Sequence, residues 1–233
     1  MAHRTLRHGQ ELVHSFLALR KAVGFIGMAL PFALLAVHGG ALASVSQGFY
    51  TSGGALFVAG VCAIGIFLLF YRGYEREDRI ASFVAGAAAL VVGQVPCGCG
   101  RQDGPASLWG WGPAYASSDW PGVHLLAAAV LFGTLAYFCL RLFPRSDCPA
   151  GQRNPKKQQR NAVYYACGGV IVLCLLALFV HMKLVPWLGP QGVFVGETLM
   201  MLAFGVSWAV KGEAIGFLND RAPATPPLAP TPA

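Results

Sequence analysis

An acidic residue within an otherwise apolar run constrains this chain most. The stretch Gly192–Lys211 is long enough to cross a membrane, yet it contains the carboxylate of Glu197. A spanning helix needs about 20 predominantly apolar residues, and an ionisable group within one is costly. On a helix, Glu197, Met201, Phe204 and Trp208 share one face. We therefore predict a spanning helix whose polar stripe faces a polar cavity or another helix rather than lipid.

The composition excludes an ordinary soluble domain. Of the 233 residues, 55% are hydrophobic and 12% are charged, whereas soluble domains are about 25% charged. The mean hydropathy is +0.55, so lipid must be the solvent for much of the surface. The net charge of +7 does not indicate nucleic acid, because the basic residues lie in short segments between apolar runs and form no aromatic-interleaved patch.

Six apolar runs predict an all-α bundle of six transmembrane helices over residues 22–216. An amphipathic segment, 1–21, precedes the bundle at the membrane surface, with a frayed tail as the alternative, and a Pro-rich, disordered tail follows at 217–233. Residues 41–43 resemble a signal-peptide cleavage site, but the basic region begins late for a secretory signal. The predicted spans are 22–37, 55–71, 80–95, 123–143, 162–181 and 192–211.

The distribution of basic residues predicts the orientation. With six spans, one side of the membrane receives 15 Lys and Arg residues, and the other receives Arg101 and Lys183. Basic residues accumulate in cytoplasmic segments, so we expect both termini in the cytoplasm. In the third span, Ala81, Ala85, Ala89 and Gly93 recur every four positions, which predicts a close approach to a neighbouring helix.

This threading brings polar residues together at the outer face. Histidines with a carboxylate are suited to a zinc or iron site or to a proton relay, although polar residues also gather at membrane ends because water is near. His124 and Glu197 lie deepest, so we predict a hydrogen-bonded pair, with Tyr50 as the second candidate partner. The candidate metal ligands are His38, His124, His181 and Glu197. The candidate ligand-binding residues are Glu197, His124, Tyr50, Thr51, Gln94 and Trp208.

The cysteines fall into two groups. Cys62, Cys139, Cys167 and Cys174 lie within predicted spans and are expected to pack as small apolar side chains, and Cys148 lies in a cytoplasmic loop. Cys97 and Cys99 face the oxidising side. They are expected to form a strained disulfide or remain a thiol pair, with a soft-metal site as the alternative.

Several segments resemble a family of small bacterial six-span membrane proteins of unknown function. The resemblance rests on F-V-A-G-V-C-A-I-G-I-F-L-L-F-Y-R-G-Y-E-R-E-D at 57–78, R-N-A-V-Y-Y-A-C-G at 160–168 and F-G-V-S-W-A-V-K-G-E-A at 204–214, together with the His124-Leu125 start of the fourth span. Relatives usually carry Met-Arg-Asp where this chain has Gly53-Gly54-Ala55, so any outer-face activity of an Arg-Asp pair is missing here. The resemblance implies a bacterial inner-membrane protein.

No P-loop, dinucleotide fingerprint, H-E-x-x-H or G-x-S-x-G motif is present, so the sequence does not identify a cofactor and enzymatic activity stays open. The leading hypothesis is a protein that binds or moves a small apolar or amphipathic, lipid-like ligand near Glu197 and His124. The alternatives are a membrane-embedded metal-dependent lipid hydrolase and a structural subunit that packs against partner membrane helices.

Overall fold

The structure is a computed structural model that describes residues 2–73, 75–95, 97–98, 120–145 and 154–219, without the side chains of residues 2–13 and 120. The disordered tail predicted beyond residue 219 lies outside these ranges, as do Cys99 and Cys148. Within them the chain is all-helical. The six long helices are α1 Ala2–His38, α2 Gly54–Phe70, α3 Arg76–Gln94, α4 Trp120–Tyr137, α5 Pro155–Lys183 and α6 Gly192–Lys211.

Four of these helices contain a run that is long and apolar enough to cross a membrane. They are α1, α4 (with its continuation to Leu142), α5 and α6, and they give the chain the character of a multi-pass membrane protein. The other two differ for visible reasons. Helix α2 is apolar but has 17 residues, and the first turn of α3 is charged.

The amphipathic segment and the first predicted span form one helix. Helix α1 runs without a break from Ala2 to His38, so the structure has no boundary at residues 21 and 22. Arg20 is buried at this junction and donates to the hydroxyl of Tyr71 at 3.0 Å. The helix ends at His38. The next residue, Gly39, has a φ of 75°, which glycine adopts readily and which stops the helix.

The six helices close into a ring. Each packs against its neighbours in the chain, and α6 returns to pack against α1. Glycines permit two of the closest approaches. A Cβ on Gly86 of α3 would lie 2.8 Å from the carbonyl oxygen of Gly65 in α2, and one on Gly24 of α1 would lie 2.8 Å from that of Gly205 in α6.

The predicted small-residue stripe of α3 is confirmed, because Ala81, Ala85, Ala89 and Gly93 are all buried. Small residues at such a contact let two helix backbones meet without a hydrophobic driving force in lipid.

Antiparallel packing gives the bundle two distinct ends. The basic end carries Arg20, Tyr71, Arg145, Lys157, Arg160 and Lys211, and the histidine end carries His38, Tyr50, Gln94, His124, His181 and Glu197. Trp208 is fully buried near the basic end. The rings of Tyr71, Phe67, Phe143, Phe138 and Phe204 surround it, with centroids 5.0 to 5.8 Å away. Helix α4 continues past Tyr137 as one π-helical turn, Phe138–Leu142, whose first residue, Phe138, belongs to this cluster.

Candidate functional site

The loop between α1 and α2, residues 39–53, folds back over the histidine end. The carboxamide of Gln47 accepts the backbone amide of Ala43 at 2.6 Å, and Ser46–Tyr50 forms a short 3-10 helix. Within this loop, the side chains of Leu42 and Val45 are buried. The loop therefore belongs to the packed structure and positions its backbone against α4 and α6.

Helix α6 forms hydrogen bonds to the backbone of this loop. Glu197 accepts the amide N–H of Val45, with 2.5 Å between N and Oε2. One turn earlier, the amide of Phe194 donates to the carbonyl of Ala43 at 2.9 Å. The carboxylate in the apolar run thus satisfies a loop donor that would otherwise be orphaned in a poorly hydrated environment.

Helix α4 holds the same loop through His124, which is 3% exposed. Its Nδ1 lies 2.7 Å from the carbonyl oxygen of Val95, and its Nε2 lies 3.1 Å from Oγ of Ser46. A carbonyl can only accept, so Nδ1 carries the proton of this bond. A neutral ring with that tautomer accepts the Ser46 hydroxyl proton at Nε2, and both nitrogens are then satisfied.

Glu197 and His124 are therefore joined through the loop. Both ring nitrogens of His124 are taken by Val95 and Ser46, and Glu197 binds the residue that precedes Ser46. The direct pair predicted between the two side chains is replaced by two contacts to adjacent loop residues. We call Val45, Ser46, His124 and Glu197 the loop latch.

A small cavity lies beneath the latch. It has a volume of about 50 Å³ and is lined by Val45, Ser46, Glu197, Met201 and Phe204, among other apolar side chains. Three of the four residues of the predicted α6 face, Glu197, Met201 and Phe204, line this cavity, whereas Trp208 does not. The volume suffices for a few waters, but it is far below the about 300 Å³ at which small-molecule sites begin.

The other candidate ligand-binding residues serve separate local structures. The Tyr50 hydroxyl accepts the amide of Gly98 at 3.0 Å, and the Thr51 hydroxyl donates to Gly48 O at 2.8 Å just before α2. Gln94 contacts Cys62 Sγ at 3.2 Å. Trp208 lies 11 residues after Glu197, about 16 Å along the helix. The six candidates do not form one pocket.

The candidate metal ligands are not brought together either. Among the described residues, no group of three or more His, Cys, Asp or Glu side chains is placed to hold a metal ion. His38 is exposed at the end of α1. His181 Nδ1 accepts the amides of Trp187 and Leu188, both at 3.1 Å, and closes the turn after α5. His124, His181 and Glu197 have separate hydrogen-bond partners, so these side chains do not converge on one point among the described residues.

Of the predicted spanning cysteines, Cys139 and Cys167 are buried in the core, while Cys62 and Cys174 are half-buried. Their packing agrees with the prediction that they act as small apolar side chains. The predicted disulfide and the alternative soft-metal site both need Cys99, which lies outside the described residues. Both therefore stay predictions.

An ion-pair network at the basic end was not predicted from the sequence. Arg145 bridges two carboxylates, that of Glu75 at 2.7 Å and that of Glu77, and the Tyr137 hydroxyl donates to Glu77 at 3.2 Å. The hydrogen bond and charge of Arg145, aided by Tyr137, hold the pKa of Glu77 below its ordinary value. The pairing in turn raises the pKa of Arg145. The signal available in the sequence is the density of charged residues at 75–79, just before the third apolar run.

An apolar groove between α3 and α4 opens beside this network. Two residue sets at helical spacing form it, with Glu77, Ile80, Ala81 and Val84 on α3 and Val130, Gly133, Thr134 and Tyr137 on α4. Its volume is about 510 Å³. Thr134 donates its hydroxyl to the backbone of Val130 at 2.7 Å, which leaves the walls apolar and the polar groups at one end.

Comparison of the chain with protein-family models, with curated proteins and with solved structures finds no match. The resemblance to six-span bacterial proteins therefore stays an expectation, and function has to be argued from the geometry alone.

Proposed function

We propose that the chain is a six-span protein of the bacterial inner membrane, with both termini in the cytoplasm, and that it binds a lipid-like amphiphile in the groove between α3 and α4. The groove is the observation that carries the proposal. The proposed site differs from the one predicted from the sequence near Glu197 and His124. The cavity at the loop latch is too small for an amphiphile, whereas the groove lies towards the opposite end of the bundle.

Charge and helix direction support the threading. The closed ring of six antiparallel helices puts the ends of α1 and α6 that carry Arg20 and Lys211 on the same side as the loops before α3 and before α5. The proposed threading assigns 15 of the 17 Lys and Arg residues to that side. In this proposal α2 and α3 also cross the membrane. Helix α2 is apolar throughout, and its 17 residues are at the short end of the range for a spanning helix. The charged first turn of α3 then lies at the water-facing layer.

The groove has the size and polarity expected for an acyl chain. About 510 Å³ lies within the range of small-molecule sites, about 300 to 1,000 Å³. Ile80 and Val84 line it while being 54% and 38% exposed, so in a membrane the groove opens towards lipid. A Cβ on Gly133 would meet no atom within 4 Å. The missing side chain at this position leaves space for an acyl chain.

The polar end of the groove suits a head group with both charges. Glu75 and Glu77 offer carboxylates to an amine, and Arg145 offers a guanidinium to a phosphate. The charge of Arg141 also acts on Glu77. Two carboxylates and two guanidinium groups at one mouth match a zwitterionic amphiphile better than an anionic one.

The test is photolabelling of the full chain in detergent with a substoichiometric phosphatidylethanolamine that carries a diazirine in its acyl chain. We expect the label to map to residues 80–84 and 130–137. A Cβ on Gly133 meets no atom within 4 Å, so Gly133→Leu should place its side chain in the groove and reduce labelling there severalfold. Gly169→Leu is the matched control, because Gly169 of α5 also has no atom within 4 Å of a Cβ. Even labelling over the outer faces of α4 and α5, unchanged by Gly133→Leu, would refute the proposal.

A further inference from the structure

The turn between α5 and α6, residues 184–188, exposes large apolar side chains at the histidine end of the bundle. Leu184, Val185 and Trp187 are 67%, 60% and 57% exposed. The loop between α1 and α2 lies at the same end, but it folds over the bundle and buries Leu42. Contiguous exposed apolar side chains mark a surface that an apolar partner covers.

The first half of this turn leaves no backbone donor unpaired. The amides of Leu184 and Val185 both donate to the carbonyl oxygen of Val180, each at 2.9 Å. The next residue, Pro186, has no N–H to satisfy. Three consecutive positions therefore need no water molecule as a hydrogen-bond acceptor.

His181 satisfies the second half of the turn. Its Nδ1 accepts the amides of Trp187 and Leu188, both at 3.1 Å. A backbone amide can only donate, so Nδ1 carries no proton in this arrangement. An unpaired N–H is costly where water is scarce, and with His181 in place none of the amides from 184 to 188 incurs that cost. His181 is therefore a positioning residue that prepares the turn for a poorly hydrated environment.

The residues on either side indicate how deep the turn lies. Lys183 is exposed and ends the apolar run of α5 that is long enough to cross a membrane. A lysine at such a place extends its ammonium to the head groups while its stem stays on apolar surface. Tryptophan gathers at the membrane–water boundary, which suits Trp187. Leu188 packs against the core and ties the turn to the bundle, so residues 184–187 form its protruding tip.

We infer that this tip inserts into the lipid leaflet at the histidine end, at the boundary between head groups and acyl chains. Leu184, Val185 and Trp187 then contact acyl chains and not water. The carbonyl groups of the turn need the hydrated side of this layer, which excludes deeper insertion. The inference rests on the proposed membrane-spanning arrangement and is independent of the groove between α3 and α4. It gives the protein a lipid contact outside its spanning helices, one that a histidine holds in shape.

The experiment measures the fluorescence of Trp187 in the full chain, reconstituted in phosphatidylcholine vesicles. The chain has five tryptophans, so the Trp187 signal is the difference between the wild-type chain and Trp187→Phe. Brominated phosphatidylcholine quenches tryptophans that contact acyl chains, and iodide quenches those that contact water. We expect brominated lipid to quench the Trp187 signal roughly twofold and iodide to leave it nearly unchanged.

Variants of His181 test its part in the insertion. His181→Leu removes the acceptor and leaves two amides unpaired, so the tip should move into water and the Trp187 signal should become sensitive to iodide. His181→Asn places an amide oxygen where Nδ1 lies and should behave as the wild type. His38→Leu is the matched control, because it removes an exposed histidine at the same end and should change nothing. Each signal is again a difference from the same variant combined with Trp187→Phe.

The two quenchers decide the inference on the wild-type chain, even if His181→Leu does not fold. Quenching of Trp187 by iodide and not by brominated lipid would place the tip in water and overturn the inference. Protection from both quenchers would indicate that a protein covers the tip, which also overturns it. Equal behaviour of His181→Asn and His181→Leu would refute the role of the histidine. Failure of the spanning arrangement is detected separately, by a reporter fusion near Gly189, and failure of the groove by photolabelling.

Discussion

The carboxylate of Glu197 accepts the backbone amide of Val45, 152 residues earlier in the chain, at 2.5 Å. A side chain in the last helix therefore holds the first loop through a main-chain group. The contact needs an acceptor at position 197, whereas the side chain at position 45 contributes only its burial.

Glu197→Gln and Glu197→Leu should separate the acceptor from the charge. Glutamine retains a carbonyl oxygen that can accept from Val45, so we expect a mild effect. Leucine leaves the amide buried and unpaired, which costs about 1–3 kcal/mol. Equilibrium unfolding in detergent measures both variants. Equal losses for the two variants would show that the charge, and not the acceptor, stabilises the loop.

Ser46→Ala and Glu197→Leu should be coupled, because Ser46 and Val45 are adjacent in the loop and are held by opposite helices. Once one contact is lost and the loop loosens, the second contributes less. A double-mutant cycle should give a coupling energy of about 0.5–3 kcal/mol. Phe143→Leu combined with Glu197→Leu is the control, because Phe143 lies at the opposite end and its cost should add. Additivity of the Ser46 pair would contradict a shared latch.

The proposed threading predicts the outcome of reporter fusions. Fusions after Arg79, Arg160 and Ala224 should report the cytoplasm, because these positions flank the basic segments. Fusions near Gly104 and Gly189 should report the opposite side. A cytoplasmic signal at Gly104 would contradict the six-span arrangement.

The sequence predicted the elements that depend on local composition. Helix α6 begins and ends where the apolar run does, at Gly192 and Lys211, because the length and hydropathy of a span are local properties. The stripe from Ala81 to Gly93 is likewise buried as its four-residue spacing predicts. In both cases the structural property depends on residues that lie close together in the sequence.

The contacts that define the sites left no such pattern. Glu197 binds a main-chain amide, and every residue except proline has one, so no side-chain motif identifies Val45 as its partner. The ion-pair network at the basic end joins Glu77, Tyr137 and Arg145 from separate segments. Only the packing of α3 on α4 brings these residues together. The predicted metal ligands form no group of three among the described residues, because a shared depth in the membrane does not specify which way each side chain points.

Glu77 should make stability depend on acid pH. Its pKa is held below the ordinary value of 4.5, chiefly by the hydrogen bond from Arg145. The stabilisation is therefore complete above the unfolded-state pKa and is lost as the pH falls through the lower, folded-state pKa. Glu77→Gln should lower Tm slightly at neutral pH and flatten its fall as the pH drops below the ordinary value of 4.5.

The effect of Glu77 should be small and salt-sensitive, because the side chain is exposed and its ion pair is screened by solvent. Glu213→Gln is the control, since it removes an exposed glutamate outside the Arg145 network. If both variants changed the acid profile equally, the dependence would reflect net charge and not the pairing with Arg145.

Gly86→Ala should destabilise the bundle more than an added methyl group usually does. A Cβ at this position would lie 2.7 Å from the amide nitrogen of Leu69 and 2.8 Å from the carbonyl oxygen of Gly65. Both are backbone atoms, so α2 and α3 must separate, and overpacking of this kind costs about 1–3 kcal/mol. Gly122→Ala is the matched control, because a Cβ on Gly122 of α4 meets nothing within 4 Å and alanine favours the helix. Unfolding in detergent should therefore give opposite signs for the two variants, and a neutral Gly86→Ala would show that α2 and α3 do not pack this closely.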